Sequence, residues 1–282
     1  MIIDFHTHIF SPHIKKDLGE YIARDPCFAA LYSSPEARMA TADELIASMD
    51  RDGVDISVVL NIGWTTPELC VETNDYILES VARFPKRLIG FGSIQPRFLD
   101  AAVAEIERCA AGGLKGVGEL RPDVQAFDIT DRGLMTSLVE ALVEHKQILL
   151  THASEPVGHQ YPGKGTVTPD ILYRFITAFP QLTVVCAHWG GGLPLFALMP
   201  EVKKALSNVY FDTAASPFLY SPRIYQQVVS LLGADKILFG SDYPLMPPNR
   251  LITEIKSLAL PGETESLILG GNARRLLNIP DN

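Results

Sequence analysis

The chain has 282 residues, of which 47% are apolar, and a formal net charge of −9. This charge argues against non-specific nucleic-acid binding, which needs a basic surface, and no apolar run reaches the ~18 residues of a membrane span. The amino-terminal stretch lacks a basic segment followed by an apolar one, so it does not read as a secretory signal. The four cysteines form no CxxC pair and indicate reduced thiols in a cytoplasmic protein. We therefore expect a small molecule as the partner.

Short apolar runs alternate with helix-like stretches along the chain. The predicted strands cover residues 1–5, 55–61, 88–94, 114–120, 147–151, 182–187, 208–212 and 236–240. The predicted amphipathic helices cover residues 42–50, 67–84, 100–111, 131–145, 169–179, 193–206, 222–232 and 250–258. Eight strand–helix units predict an α/β fold, a parallel (β/α)8 TIM barrel that forms one domain over residues 1–282. An open doubly wound sheet is the alternative, but no glycine-rich phosphate loop follows the first strand.

Two connections are unusually long, residues 9–41 and residues 153–168, and only the first holds a short helix-like piece, at 12–23. Both follow the carboxyl end of a predicted strand, which is where barrels keep their active sites. We expect these loops and nearby strand ends to contact a carboxylated substrate. The candidate carboxylate partners are Arg121, His159 and Lys164. The candidate aromatic walls of the binding pocket are Trp64, Tyr161, Trp189 and Tyr243.

A pair of histidines one residue apart, His6 and His8, follows the first apolar run. Successive side chains of a strand alternate between faces, so both imidazoles project from the same face, as half of a transition-metal site. Four more predicted strands end in residues of metal-binding type, which are Glu119, His152, His188 and Asp242. In a barrel these strand ends meet at one mouth, and we predict a metal site there.

The fourth strand leaves the role of Glu119 open. Lys115, Val117 and Glu119 are predicted to share one face of this strand. If that face points into the barrel, the carboxylate needs a cation, because burying an unpaired charge is costly. The cation is either a metal ion or Arg121, which directly follows the strand.

Several motifs together resemble the amidohydrolase superfamily, in the branch that includes α-amino-β-carboxymuconate-semialdehyde decarboxylase. The matching stretches are residues 4–8, 151–152, 187–191, 239–244 and 270–277. The resemblance implies one metal, commonly zinc, with His188 acting beside the metal-bound water and with the ligands His6, His8, His152 and Asp242. A glutamate at the place of Glu119 also resembles the TatD-like deoxyribonuclease branch, where it bridges two metals, so a second metal stays open. The acidic composition argues against a nuclease.

Two reactions fit these residues. Our first prediction is hydrolysis of a small carboxylated amide, lactone or ester, in which Asp242 accepts a proton from the metal-activated water and His188 stabilises the oxyanion. The alternative is non-oxidative decarboxylation of an aromatic or muconate-type acid, in which the metal binds the substrate and His188 moves a proton. A barrel that binds metal without catalysis is a third class, which the presence of both Asp242 and His188 disfavours. Homo-oligomerisation stays open.

Overall fold

Eight parallel strands form the centre of the computed structural model, which describes residues 1–280. The strands pair in chain order and are β1 (Ile3–His8), β2 (Ile56–Leu60), β3 (Leu88–Gly92), β4 (Gly116–Leu120), β5 (Ile148–Thr151), β6 (Val184–Cys186), β7 (Val209–Asp212) and β8 (Ile237–Leu238). The last strand returns to the first, because the Phe5 amide donates to the Phe239 carbonyl at 2.7 Å and Thr7 pairs with Tyr243. The predicted (β/α)8 barrel is confirmed.

The helices lie around this barrel. They are α1 (Pro12–Lys16), α2 (Leu18–Arg24), α3 (Pro26–Tyr32), α4 (Ala42–Asp52), α5 (Pro67–Arg83), α6 (Leu99–Ala111), α7 (Arg132–Glu144), α8 (Pro169–Ala178), α9 (Pro200–Ala205), α10 (Ser216–Leu219), α11 (Arg223–Leu232), α12 (Pro248–Ser257), α13 (Gly262–Ser266) and α14 (Asn272–Leu276). Local chemistry sets their starts: Thr41 and Glu44 form a capping box on α4, and proline opens α5 and α8. None of these helices is long and apolar enough to cross a membrane.

Apolar side chains form two concentric layers, as the alternation of strand faces requires. The barrel interior contains Phe5, Leu60, Phe91 and Leu150. The outer layer lies between strands and helices. It consists of residues that alternate along the strands with the interior ones, such as Leu149. Burial of both faces explains why the strands read as nearly continuous apolar runs.

The predicted helix at 193–206 is wrong in its first half. The chain instead forms a 3-10 segment, His188–Phe196, followed by the short helix α9. Residues Trp189 to Gly192 have positive φ angles between 57° and 95°. Three consecutive glycines and Pro194 favour this path over an α-helix, because glycine tolerates positive φ and an interior proline removes a backbone hydrogen bond.

The long connection after β1 holds more structure than predicted. It contains α1 and α2 where one helix-like piece was expected, and a third helix, α3, that the sequence analysis missed. Proline at the start of α3 and the Asp25 side chain, which accepts from the Phe28 amide at 2.8 Å, both favour a helix start there. These helices form an apolar cluster of their own beside the barrel mouth.

A register shift in β4 decides where Glu119 points. Val117 pairs with Leu149 and Leu120 pairs with Thr151, so three steps along β4 match two along β5. Val117 packs in the outer layer and Lys115 is exposed, while Glu119 faces the interior. The prediction that these three residues share a face is wrong, because this bulge inverts the alternation between positions 117 and 119.

Candidate metal centre

Six side chains meet at the carboxyl-terminal mouth of the barrel. They come from β1, from β4 and from the residues that follow β5, β6 and β8, and they are His6, His8, Glu119, His152, His188 and Asp242. Five are buried at 7% exposure or less, and the Asp242 side chain is 13% exposed. The structure therefore brings together every residue that the sequence predicted as a metal ligand or catalytic group.

One part of this cluster consists of His6, His8 and Asp242. The Nε2 atoms of the two histidines lie 3.1 Å apart. Asp242 Oδ1 lies 3.3 Å from His8 Nε2 and 3.9 Å from His6 Nε2. Two imidazole nitrogens and a carboxylate oxygen thus converge on one point, as the HxH spacing predicts.

The other part is centred on Glu119. Its Oε1 atom lies 2.8 Å from His152 Nδ1 and 3.4 Å from His188 Nε2. Ligand-type atoms within 4.8 Å of one another define two groups, Glu119 with His6 and His8, and Glu119 with His152 and His188. Glu119 belongs to both. The sequence analysis left open whether Arg121 pairs with Glu119. The structure places histidines beside Glu119, and the guanidinium of Arg121 lies 3.9 Å from Asp123 instead.

Asp212, which the sequence analysis missed, orients the cluster from behind. Its Oδ2 accepts from His6 Nδ1 at 2.8 Å, and its Oδ1 accepts from the amides of His188 and Ala214. With the Nδ1 hydrogen held by Asp212, Nε2 is the nitrogen of His6 that a metal can bind when it displaces the proton there, and it faces His8 and Asp242. One feature of the sequence could have identified Asp212 as a site residue: it lies at the end of a predicted barrel strand, as Glu119 does.

His188 is held in a fixed orientation at the start of the left-handed segment. Its own φ is +55°, and its Nδ1 donates to the Ala214 carbonyl at 3.1 Å. This bond leaves Nε2 facing Glu119. Three residues on, Gly191 has a φ of +61° and a Cβ there would lie 2.3 Å from the Ser154 carbonyl oxygen. Glycine is required because this loop presses against the chain that follows His152.

The electrostatics of the cluster favour positive charge. Burial lowers the pKa of His6, but the Asp212 carboxylate outweighs it and raises this pKa to about 10. Burial also lowers the pKa of His188, but the carboxylates of Glu119 and Asp242 outweigh it and raise this pKa to about 9. Burial raises the pKa of Asp242 and of Glu119. The nearby histidines outweigh burial and hold the pKa of Asp242 at about 2 and that of Glu119 well below its usual range. A site that retains protons in this way also stabilises a bound cation.

The chemistry of the donors fits a divalent metal. Imidazole nitrogens and carboxylate oxygens are the ligands that transition metals take in proteins, and a carboxylate behind a ligating histidine is the usual support. His6 and His8 face each other through nitrogens of the same type, an arrangement that a shared cation explains. Asp212 supplies the support behind His6.

Two of the predicted substrate-contacting aromatics are fully buried. Trp64 and Trp189 are 0% exposed, so no surface of either ring is free for a substrate. Trp64 stacks on Phe28 beside α3, and Trp189 packs edge-on against Tyr225 in the outer layer. Tyr243 donates its hydroxyl to the Glu44 carbonyl at 3.3 Å, on α4. The predictions for Trp64 and Trp189 are corrected, because both rings are needed for packing, whereas the half-buried Tyr243 stays a prediction.

The remaining candidates lie on or under the loop 153–168. Lys164 donates to the carbonyls of Val157 and His159 within that loop, and His159 is exposed. Tyr161 donates to Glu155 Oε2 at 2.9 Å. Arg121 differs from these, because it is buried under the loop and donates from Nη2 to the Gly163 carbonyl at 2.6 Å.

A closed eight-stranded barrel with this cluster at its mouth defines a metal-dependent enzyme of the (β/α)8 class. The amidohydrolase family model matches residues 3–279, so the chain belongs to the amidohydrolase family. A 2-amino-3-carboxymuconate-6-semialdehyde decarboxylase from Dictyostelium discoideum is 25% identical over an alignment that covers 99% of this chain and 92% of that protein. The resemblance predicted from the motifs is confirmed.

Solved structures share the fold. A 5-carboxyvanillate decarboxylase from Sphingomonas paucimobilis superposes with a TM-score of 0.82 at 19% identity, covering 99% of both chains. A dihydroxybenzoic acid decarboxylase from Polaromonas sp. JS666, with bound manganese, has a TM-score of 0.74 at 18% identity and covers 100% of this chain and 98% of that one. These structures share the fold, and the cluster of imidazole nitrogens and carboxylate oxygens at the mouth of this chain's own barrel could hold a divalent metal, as predicted.

The comparisons correct the predicted reaction. Hydrolysis was our first prediction, but the curated relative that matches over nearly the whole chain is a decarboxylase, and so are the two structures described above. The hydrolase prediction is wrong. The metal site alone did not separate the two reactions, because the same ligands serve both an attacking water and a bound carboxylate.

Proposed function

We propose that this chain is a metal-dependent, non-oxidative decarboxylase of a small carboxylic acid of aromatic or muconate type. The observation that carries the proposal is the match, over 99% of the chain, to a decarboxylase. The buried cluster of imidazoles and carboxylates at the barrel mouth supports it, because such a cluster suits a cation that binds an acidic substrate.

We propose that His6, His8, Asp242 and Glu119 would hold the cation. Imidazole-rich sites suit zinc, which is our preferred metal, and the manganese in the Polaromonas structure makes manganese the alternative. When bound, the cation supplies a Lewis acid that orients the substrate and stabilises negative charge on it. That His152 is a further ligand stays a prediction, and its Nδ1 lies 2.8 Å from Glu119 Oε1.

We assign the proton transfer to His188. In decarboxylation the bond between the substrate carbon and the carboxylate breaks, CO₂ leaves, and the electron pair stays on the carbon, which then takes up a proton. Burial lowers the pKa of His188, but Glu119 and Asp242 outweigh it and raise this pKa to about 9, so these carboxylates favour the protonated imidazole that a proton donor requires. Its Nδ1 is held by the Ala214 carbonyl, which leaves the Nε2 proton as the one to transfer.

Glu119 and His152 support this role. Glu119 Oε1 lies between the two imidazoles, at 2.8 Å from His152 and 3.4 Å from His188. A carboxylate in that position holds the ring of His188 and stabilises its charged form. His152 in turn contacts the Ser154 hydroxyl at 3.1 Å through Nε2, which completes a buried polar chain.

The test measures CO₂ release from the purified protein loaded with zinc or manganese. The substrates are 5-carboxyvanillate, 2,6-dihydroxybenzoate and 2-amino-3-carboxymuconate-6-semialdehyde, which are named for the related decarboxylases. We expect metal-dependent CO₂ release from at least one of them and its loss in His188→Asn. Absence of CO₂ from all three with both metals, in protein shown to hold its metal, would contradict the proposed function.

A further inference from the structure

A cavity lies at the amino-terminal end of the barrel, opposite the metal centre. Its volume is about 710 Å³, which is within the range of sites that hold small organic molecules. The amino-terminal parts of β3 to β6 and the residues before them form one wall, and residues 276–280 form the other. Along β4, the four steps from Lys115 to Glu119 span roughly 13 Å at the usual rise of a strand. A small ligand in this cavity therefore does not touch the metal centre.

Part of the cavity wall is apolar. Ile89 of β3, Leu276 of α14 and Ile279 line it and pack against the interior layer of the barrel. All three side chains are only partly buried, so they retain surface that faces the cavity or solvent. Apolar surface in a concave site favours a ligand with an apolar body, because contact with that body removes both surfaces from water.

Two lysines without partners also line the cavity. Lys115 precedes β4, Lys146 follows α7, and both side chains are exposed. Within residues 1–280, neither lysine forms an ion pair or a side-chain hydrogen bond. None of the described residues that line the cavity is acidic.

The ends of two helices offset only part of this positive charge. Ala110 and Val143, from the last turns of α6 and α7, line the cavity. A helix C-terminus carries about half a negative charge, so two of them offset about one of the two lysine charges. A surplus of about one positive charge remains, in a chain whose net charge is −9. The cavity is therefore suited to an anion.

The backbone at Lys146 is unusual for a lysine. Its φ is +52°, in the left-handed region that glycine or asparagine normally occupies after the end of a helix. The matching position after α6 is Gly113, which has a φ of +92°. The chain thus uses glycine at the end of one helix and, at the end of the other, a lysine whose side chain lines the cavity.

Gln147 supplies a buried acceptor to the same cavity. Its Nε2 donates to the carbonyls of Leu114 at 3.0 Å and His145 at 3.3 Å. The residue is 6% exposed, and in the described part of the chain its Oε1 has no hydrogen-bond partner. A buried carbonyl oxygen without a donor is unfavourable, so a ligand that brings an N–H or O–H group would satisfy it.

We propose that this cavity is a second, non-catalytic site, which binds a small organic anion with an apolar body and an N–H or O–H group. Lys115 and Lys146 pair with the anion, Ile89 and Leu276 contact the apolar body, and Gln147 Oε1 accepts from the donor. The inference does not depend on the proposed function, because the metal centre lies at the other end of the strands.

The experiment is a fluorescence titration of the zinc-loaded protein with two dyes. 1-Anilino-8-naphthalenesulfonate has an anion, an aromatic body and an N–H group, and N-phenyl-1-naphthylamine lacks only the sulfonate. We expect the sulfonate dye to bind at one equivalent and at least 10-fold more tightly than the neutral dye. Combining Lys115→Gln with Lys146→Gln should remove this preference and leave the affinity for the neutral dye unchanged.

Matched controls separate this cavity from other surfaces. Lys203→Gln combined with Lys204→Gln removes two exposed lysines from α9 and should keep the preference. Leu198→Gln removes an apolar side chain that is 80% exposed and should leave the binding of both dyes unchanged. Ala110→Phe fills the cavity without changing its charge, and we expect it to weaken both dyes at least 10-fold.

The outcomes are distinct from those of the CO₂ assay. Equal affinity for the two dyes, or a preference that survives the paired Lys115 and Lys146 substitutions, would overturn the proposed site. A loss of dye binding in Leu198→Gln that equals the loss in Ala110→Phe would also overturn it. A preference that is lost with Lys115 and Lys146 and kept without Lys203 and Lys204 supports the site, whether or not the protein releases CO₂.

Discussion

Asp212 Oδ2 accepts a hydrogen bond from His6 Nδ1 at 2.8 Å, and neither side chain is exposed. This pair connects β7 to β1 past β8, the strand that lies between them, and leaves His6 Nε2 to face the metal. The other oxygen of Asp212 accepts from the His188 amide, so one carboxylate positions both the proposed ligand and the proposed proton donor.

Asp212→Asn is expected to weaken metal binding by about 10- to 100-fold, the usual cost of removing a carboxylate behind a ligating histidine. The amide keeps the size of the side chain but no longer stabilises the hydrogen on His6 Nδ1. Competition with a chromophoric chelator measures the affinity. Asp170→Asn, on an exposed carboxylate, is the control and should bind metal as wild type does. Unchanged affinity in Asp212→Asn would show that His6 does not depend on this bond.

Metal removal is expected to lower the melting temperature. A ligand present at about 1,000 times its Kd stabilises the folded state by roughly 4 kcal/mol, which corresponds to a shift on the order of 8 °C for a chain of this size. Thermal unfolding is measured after chelation and dialysis, then after addition of zinc, manganese or magnesium. Zinc should restore the shift and magnesium should not, because the centre is rich in imidazole. Identical melting curves in all four samples would contradict the metal centre.

His188→Asn is expected to keep one equivalent of metal and to lose activity by about 10²-fold or more, as a lost acid–base group does. Metal content is measured by elemental analysis beside kcat. His13→Asn, on an exposed histidine, is the control. A wild-type protein with two equivalents, one of which is lost in His188→Asn, would place a second cation among Glu119, His152 and His188 and exclude the proton-transfer role.

Gly191→Ala is expected to destabilise the fold by about 2–5 kcal/mol. A non-glycine residue at positive φ costs about 1–2 kcal/mol, and overpacking against the Ser154 carbonyl, 2.3 Å from the new Cβ, adds about 1–3 kcal/mol. Urea unfolding measures the difference. Gly262→Ala, where a Cβ meets nothing within 4 Å, is the control and should change stability by less than about 1 kcal/mol. Equal effects of the two substitutions would show that the left-handed segment adapts.

Local patterns in the sequence predicted most of the fold. Apolar runs of strand length, amphipathic stretches and punctuating prolines depend on neighbouring residues only, and they predicted all eight strands to within a few positions. The same patterns failed at residues 193–206, where three glycines and a proline outweigh the helical spacing of the apolar residues. Strand ends then located the six residues of the cluster, because the carboxyl ends of barrel strands meet at one mouth.

The tertiary structure alone decided how these residues divide their roles. The bulge in β4 turns Glu119 inward, and no local pattern reveals it, because it exists only in the pairing with β5. The bond between Asp212 and His6 joins residues 206 positions apart. Contacts between distant parts of a chain follow from packing and register, whereas sequence patterns report the preferences of neighbours. The sequence therefore determined which residues reach the mouth, and the packed barrel determined which of them touch.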